Sequence, residues 1–291
     1  MDAKRPRVSV IIPAYRAQAT LPRVLDALHP QVDPEVEVLV VESSGLAQAS
    51  ALERAWPWVR VIGLASRALP GAARNIGVRA ARGSRLAFLD ADAPPDPGWL
   101  AGLEARLGYG GTVAVAGAVH NGTPRNAIGT TSYLLEFSEL MPRRRGLPQH
   151  GVSCNLLVER DAFEAAGGFC EDVWPGEDTI LTVPWARSNR LQFAPDAPVW
   201  HLNRTGLGDL LRHQHRLGRS FVTVCDRVEV PYARFSRWPL LSLAPALRFG
   251  ALGLRLSRQR ALRLTGLELS PLLALGLAAW GAGVASGRAR P

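Results

Sequence analysis

Four short runs of aliphatic and β-branched residues, 8–12 (VSVII), 36–41 (VEVLVV), 59–62 (VRVI) and 85–89 (RLAFL), are separated by stretches of helical spacing at 20–29, 46–56 and 70–82. Runs that are apolar without alternation read as strands buried on both faces, the pattern of a parallel sheet covered by helices. Pro70 suits the first turn of the third helix, where a backbone N–H has no intrahelical partner anyway. Four β-α repeats predict a doubly wound α/β sheet with helices on both faces, and such sheets bind ligands outside the carboxyl ends of their strands.

Those strand ends are polar. The first runs into Pro13-Ala14-Tyr15-Arg16, the second into Glu42-Ser43-Ser44-Gly45, and the fourth into Asp90-Ala91-Asp92 followed by Pro94, Pro95 and Pro97. Two carboxylates one residue apart at the mouth of a core strand repel each other and lose hydration. A divalent cation offsets both penalties, because two hard oxygen donors on a short turn can share one ion whose shell a phosphate completes. Taken alone, the pair equally fits a cap on a helix beginning near Pro97, or a solvated turn.

Beyond residue 110 the pattern continues with a strand at 112–120, a helix at 126–140, a strand at 153–158 and a short helix at 160–166. The turn Gly167-Gly168-Phe169 and the acidic segment EDVWPGEDT follow, then short strands at 191–193 and 198–201 and a basic helix at 206–221. Pro184 predicts that the helix after Asp178 is short or kinked. The division expected is a domain over 1–225, with a nucleotide-binding half to about 110 and an acceptor and catalytic half over 111–225, plus a C-terminal extension over 226–291.

Charge is unevenly distributed. Fourteen Arg and four acids lie beyond residue 203, which leaves the preceding part close to neutral. The cationic region is interleaved with apolar runs, at 238–254 and again at 269–287, where nineteen residues carry no charge. Nineteen residues at about 1.5 Å each reach roughly across a bilayer core. That combination points to an anionic membrane surface, peripherally or with one weak C-terminal span, and away from nucleic acid. Cys154, Cys170 and Cys225 lack metal-type spacing and read as buried reduced thiols of a cytosolic protein. A strand pattern by Val8, with no apolar signal region before it, argues against secretion.

The ordered set VSVIIPAY, GAARNIGVRAARGSRLAFLDAD, GVSCNLLVERDAFEAAGGF and PGEDT resembles the family 2 glycosyltransferases of the GT-A fold over roughly residues 7 to 225. The resemblance implies a GT-A type mixed sheet and a metal-dependent, inverting transfer of a sugar from a nucleotide-diphosphate donor. The cation would be Mn²⁺ or Mg²⁺. It places Pro13 and Tyr15 at the nucleotide base, with Glu42 on the neighbouring strand, and Arg74 and Asn75 in a segment that closes over the nucleotide. Asp90 falls at the ribose hydroxyls, Asp92 at the metal, and His201 at a third metal contact, although an ordinary strand-end histidine also fits the last position. Cys154 and Asn155 fall in the segment lining the sugar and acceptor. Asp178 matches the catalytic base, with Glu177 as its rival.

Arg212, Arg216 and Arg219 share a helical spacing that suits either a solvated basic face or a phosphate contact, with Arg216 the candidate for the nucleotide sugar. Three features depart from the family pattern. Ser43 stands where a second acid is common, Arg16 stands where Asn is common, and Gln214 is not followed by the Arg-Trp pair of processive synthases. The acceptor implied is a lipid-linked or cell-envelope glycan at the cytoplasmic membrane face. The competing function is a non-catalytic nucleotide-binding or assembly subunit of the same fold. A dinucleotide dehydrogenase is excluded by the lack of G-x-G-x-x-G after a strand.

Overall fold

The four predicted repeats form β1 (Val8–Ala14), α1 (Leu21–Leu28), β2 (Val36–Glu42), α2 (Leu46–Ala55), β3 (Arg60–Gly63), α3 (Pro70–Ala80) and β4 (Arg85–Leu89). The computed structural model describes residues 5–142, 147–230 and 243–288, so the part of the predicted 238–254 apolar run before residue 243 lies outside the described residues. After β4 come α4 (Trp99–Glu104), β5 (Ala114–Asn121), α5 (Ala127–Phe137), β6 (Asn155–Glu159), α6 (Arg160–Ala165), α7 (Glu177–Arg187) and β7 (Leu191–His201). Among the described residues that follow, four helices form: α8 (Leu207–Arg227), α9 (Ala244–Ser257), α10 (Arg260–Glu268) and α11 (Ser270–Arg288).

The strands form one seven-stranded sheet in the order β3-β2-β1-β4-β6-β5-β7. β1 pairs in parallel with β2 and β4, and β2 with β3, whereas β6 runs antiparallel to both β4 and β5, which makes the sheet mixed. Inner strands bury every side chain that their apolar runs supply: Val8, Val10, Ile11 and Ile12 of β1 and Leu39, Val40 and Val41 of β2 are fully inaccessible. Burying one such side chain contributes about 1.5–3 kcal/mol, which drives the helices onto both faces. α3 packs across β1 and β2, and Gly77 on α3 lets its backbone approach Ile11 and Val41.

Two predicted strands are one. β7 runs unbroken from 191 to 201 through Pro195 and Pro198, because it is an edge strand and an edge tolerates residues without an N–H to donate. α7 likewise continues past Pro184 to Arg187, held by the buried side chains of Leu181, Thr182, Val183 and Trp185 on either side of the proline. α8 ends six residues later than the predicted basic helix, and α5 ends three residues earlier than predicted. None of the three cysteines forms a disulfide, but only Cys154 is fully buried; Cys170 and Cys225 are half-buried.

The chain divides into two compact units. The first comprises Met1–His120, Pro142–Asp172 and Glu177–Trp200; the second comprises Asn121–Met141, Val173–Gly176 and His201–Pro291. Asn155 ties the first unit together. Fully buried, it receives the Trp99 indole N–H at 2.8 Å and donates to the carbonyls of Ala118 at 2.8 Å and Ala197 at 2.9 Å. One side chain thereby joins α4, β5 and β7, and Gly117 is the only residue type that leaves room for it, since a Cβ there would overlap the Asn155 amide.

In the second unit α8 packs along α11, with Trp280 and Val284 buried against Val222 and Ala244. Glu136 of α5 is buried beside His213, whose Nε2 lies 3.1 Å away, and it accepts from Ser132 at 2.8 Å. Burial alone would raise the Glu136 carboxyl, but His213 and Arg204 bring it down to about 2.

Replacing Asn155 with Ala strands one buried donor and two buried acceptors, each costing about 1–3 kcal/mol. The variant is expected to lose about 3 kcal/mol or more of unfolding free energy in urea titration, whereas Asn121→Ala, on a partly exposed position, should lose much less.

Candidate functional site

The parallel register sets the rim of the first unit. Ala14 at the end of β1 lies opposite Glu42 at the end of β2, so both chains leave the sheet at the same level. Glu42 is buried and its Oε1 accepts the Ser44 N–H at 2.6 Å. Ser43 uses both its N–H and its hydroxyl to donate to Ala14 O, at 2.9 and 3.1 Å. A carboxylate at 43 has no proton to give that carbonyl, so the serine closes the strand end where a second acid would bring a charge. Pro13 sits within β1 opposite Val41. Tyr15 follows at the rim, with the guanidinium of Arg67 4.7 Å and that of Arg16 5.3 Å from its ring centre. Arg16 adopts φ +53°, and its N–H reaches Ser44 Oγ at 2.6 Å.

Arg74 is the buried centre of the rim. It projects from α3, is 2% exposed, and donates Nη2 to Asp90 Oδ1 at 2.6 Å and Nη1 to Glu177 Oε1 at 2.9 Å. Its guanidinium also lies 5.4 Å from the Phe169 ring centre. Burial works against the charge, but the Asp90 and Glu177 carboxylates outweigh it and keep the guanidinium above its ordinary value. Nε of Arg74 is buried with no hydrogen-bond partner among the described residues.

Cys154 is buried just before the start of β6. Burial pushes its thiol well above the ordinary value, and the charges of Asp90, Asp92 and Asp178 push it further in the same direction. Asp178, at the start of α7, is fixed by two backbone donors, with the Ser153 N–H on Oδ2 at 3.2 Å and its neighbour Thr179 N–H on Oδ1 at 2.7 Å. Glu177 is almost completely buried; burial and the adjacent Asp178 charge raise it to about 7, against the pull of Arg74.

The proline-rich exit after Asp92 is stitched to β7. Pro95 bridges Val199, the Trp200 N–H donates to Pro94 O at 2.8 Å, and the Trp200 indole donates to Asp96 at 2.6 Å. His120 stacks on Trp200 at 4.5 Å. His201 is the next residue of β7 and the first of its segment of the second unit, where its Nδ1 lies 3.1 Å from Asn203 Oδ1 and its ring 4.6 Å from that of Phe137. Arg216 also belongs to the second unit, with its guanidinium 4.6 Å from the Trp174 ring centre. Two predicted site residues have their side chains committed to structure. Asn75 clamps the glycine turn by donating to Phe169 O at 2.8 Å and accepting the Phe169 N–H at 3.0 Å, and Asn155 is the core tie described above.

A sequence model of the family described as glycosyl transferase family 2 matches residues 9–167, more than half of the chain. The chain belongs to that family. The glycosyltransferase AglE of Haloferax volcanii is 28% identical over 257 residues, covering 84% of each chain. Among solved structures, the mannosyltransferase PcManGT from Pyrobaculum calidifontis, in complex with GDP-Man and Mn²⁺, superposes with a TM-score of 0.67 at 20% identity, over 98% of this chain and 88% of that one. Glucosyl-3-phosphoglycerate synthase from Mycobacterium tuberculosis, in complex with Mn²⁺, UDP and glucosyl-3-phosphoglycerate, gives 0.55 at 22% identity, over 79% and 82%. The fold is therefore GT-A, the chain is a transferase enzyme, and the mixed sheet is the GT-A sheet.

In this glycosyltransferase the Arg74 ion pairs were not readable from the sequence, where the resemblance set Arg74 in a segment closing over the nucleotide and Asp90 at the ribose. Their partners lie 16 and 103 residues away, a separation that no local pattern encodes. A readable signal did exist for Trp99, the most voluminous side chain in the fully buried core, which begins α4 only two residues after Pro97.

Arg74→Met removes the cation shared by two acids. Breaking a buried pair costs about 3–5 kcal/mol, so the variant should unfold at markedly lower denaturant than Arg74→Lys. Glu177 gives a pH signature. Its folded value of about 7 lies above the ordinary 4.5, so the native state holds the proton more tightly than the unfolded chain, and stability should fall as pH rises from about 4.5 through about 7. In Glu177→Gln that slope should vanish, as read by denaturant unfolding across the same pH range.

Proposed function

We propose that the chain is a metal-dependent, inverting glycosyltransferase that moves one sugar from a nucleoside-diphosphate donor to an acceptor at the cytoplasmic membrane face. The observation that carries this reading is the Asp90-Ala91-Asp92 turn just after β4, with Asp90 held 2.6 Å from the buried guanidinium of Arg74. Carboxylates so grouped repel one another unless a cation lies between them, which fits a metal-bound diphosphate. The domain division proposed is a transferase domain over 1–225 and a membrane-associated helical extension over 226–291.

Asp92 and His201 would hold Mn²⁺ or Mg²⁺, with Asp90 beside them; two carboxylates and one imidazole form a donor set that suits either ion. When bound, the cation neutralises charge on the departing diphosphate. Tyr15, with Pro13 and Glu42, offers a ring and a carboxylate to the base, and Asp90 a carboxylate to the ribose hydroxyls. Arg74 holds Asp90 in place while adding positive charge to the rim, and Arg216 is assigned to the diphosphate. Asn75 acts through the turn it clamps. Asp178 takes the proton of the attacking acceptor hydroxyl, and a single displacement from the face opposite the leaving group inverts the anomeric centre. Glu177 is less suited to that role because its carboxylate is buried against Arg74, whereas Asp178 is fixed by backbone donors and only partly covered. The GDP-Man and UDP complexes of the neighbours support a nucleoside-diphosphate donor without choosing between the two bases.

The full chain is expected to show a thermal upshift with a GDP- or UDP-sugar in the presence of Mn²⁺ and a smaller one without it. Asp92→Asn should abolish the metal-dependent part. Asp178→Asn should keep the upshift and lose transfer by about 10²–10⁴-fold. Donor binding that ignores Asp92, or full transfer by Asp178→Asn, would remove these assignments.

A further inference from the structure

We propose that the outer face of α9 and α10 lies flat in the surface of an anionic membrane, and that α11 does not cross it. The exposed face of α9 carries no charged residue. The two charged residues of the helix turn inward: Arg248 lies over the Trp280 ring at 4.4 Å, and Arg255 donates to Ser138 at 2.7 Å and Glu139 at 2.6 Å. Ala244, Leu252 and Leu256 are buried on the inner side, but Leu247, Phe249 and Leu254 are exposed, as is Leu243 just before the helix starts. α10 continues the surface with Leu264 and Leu267, each more than two-thirds exposed. In water a helix buries leucine and exposes arginine, so this face is built for an apolar neighbour. Arg258 and Arg263 are exposed beside the leucines, and that pairing matches the boundary between acyl chains and anionic headgroups.

α11 has the length and composition of a span, over Ser270–Gly287, but its packing argues against one. Three glycines lock it to α8 with the backbones in contact: a Cβ at Gly218 would fall on Trp280 O, one at Gly283 on His215 O, and one at Gly287 within 2.8 Å of Arg219 O. α8 carries Asp209, Arg212, Arg216, Arg219, Asp226 and Arg227. Moving α11 into the hydrocarbon would either take these charges along or break the glycine contact, and both are disfavoured. A second copy of this chain is a poorer occupant of the α9–α10 face than lipid, because a two-fold interface would set the exposed arginines of both copies along one shared seam.

The proposal rests on the membrane-face reading of the transferase and names the surface that makes the contact. Its test is co-sedimentation of the full chain with vesicles of phosphatidylcholine alone or mixed with phosphatidylglycerol. Binding should require the anionic lipid, weaken with salt, and be reversed by alkaline carbonate. Leu264→Glu with Leu267→Glu should lower binding to the anionic vesicles by about tenfold or more, and Arg258→Glu with Arg263→Glu should lower it and flatten its dependence on salt. Both double variants should keep the donor-induced thermal upshift. That readout separates the two proposals: wild-type protein that binds donor but ignores vesicles overturns the surface alone, and loss of donor binding with vesicle binding intact overturns the transferase reading alone. Carbonate-resistant protein would show that α11 spans. A dimer dispersed by Leu264→Glu in the absence of lipid would assign the face to a second copy.

Discussion

A buried guanidinium organises the rim of the sheet. Arg74 on α3 binds Asp90 beyond the end of β4 and Glu177 at the start of α7, so one side chain fixes three segments that meet only in the folded chain. A cation so deeply buried persists only when opposite charges surround it. The acids in turn depend on the arginine, because one residue separates Asp90 from Asp92, and Glu177 adjoins Asp178. The glycine turn at 167–168, clamped by Asn75, carries Phe169 to the face of the same guanidinium.

This arrangement clarifies the division of labour between the two acids of α7. Glu177 is drawn into the interior and its proton affinity rises, whereas Asp178 is pinned by backbone donors at the partly open side. Adjacent positions at a helix start point in different directions, so one acid serves the scaffold while the other stays partly exposed. Ser43 follows the same logic on β2. Its hydroxyl completes the strand end by donating to Ala14, and a second acid there could not do so.

The second unit is organised by contacts of another kind. Glycines bring α8 and α11 together backbone to backbone, and a low, paired Glu136 carboxyl anchors α5 to α8 through His213. α9 buries Leu252 and Leu256 but presents Leu247, Phe249 and Leu254 outward. Composition alone made α11 the conspicuous membrane element, because it is uncharged for nineteen residues. The direction in which side chains face, which composition does not carry, is what directs the proposed surface contact to α9 and α10 instead.

The order of strands and helices, the mixed sheet's parallel half, the Asp-x-Asp at the mouth of β4 and the family itself were legible in the sequence, because each is encoded by neighbours a few residues apart. The hydrophobic period marks a strand or helix locally, and a motif such as GED or DAD is read within one turn. Only the tertiary structure decided that Pro195 and Pro198 lie in one continuous edge strand, that Asn155 is a core tie and that Asn75 is a loop clamp. It alone paired Arg74 with Glu177 across 103 residues and turned the arginines of α9 inward. These outcomes depend on which surfaces meet when the chain closes, and a hydrogen bond or ion pair between distant residues leaves no periodic trace in the sequence that makes it.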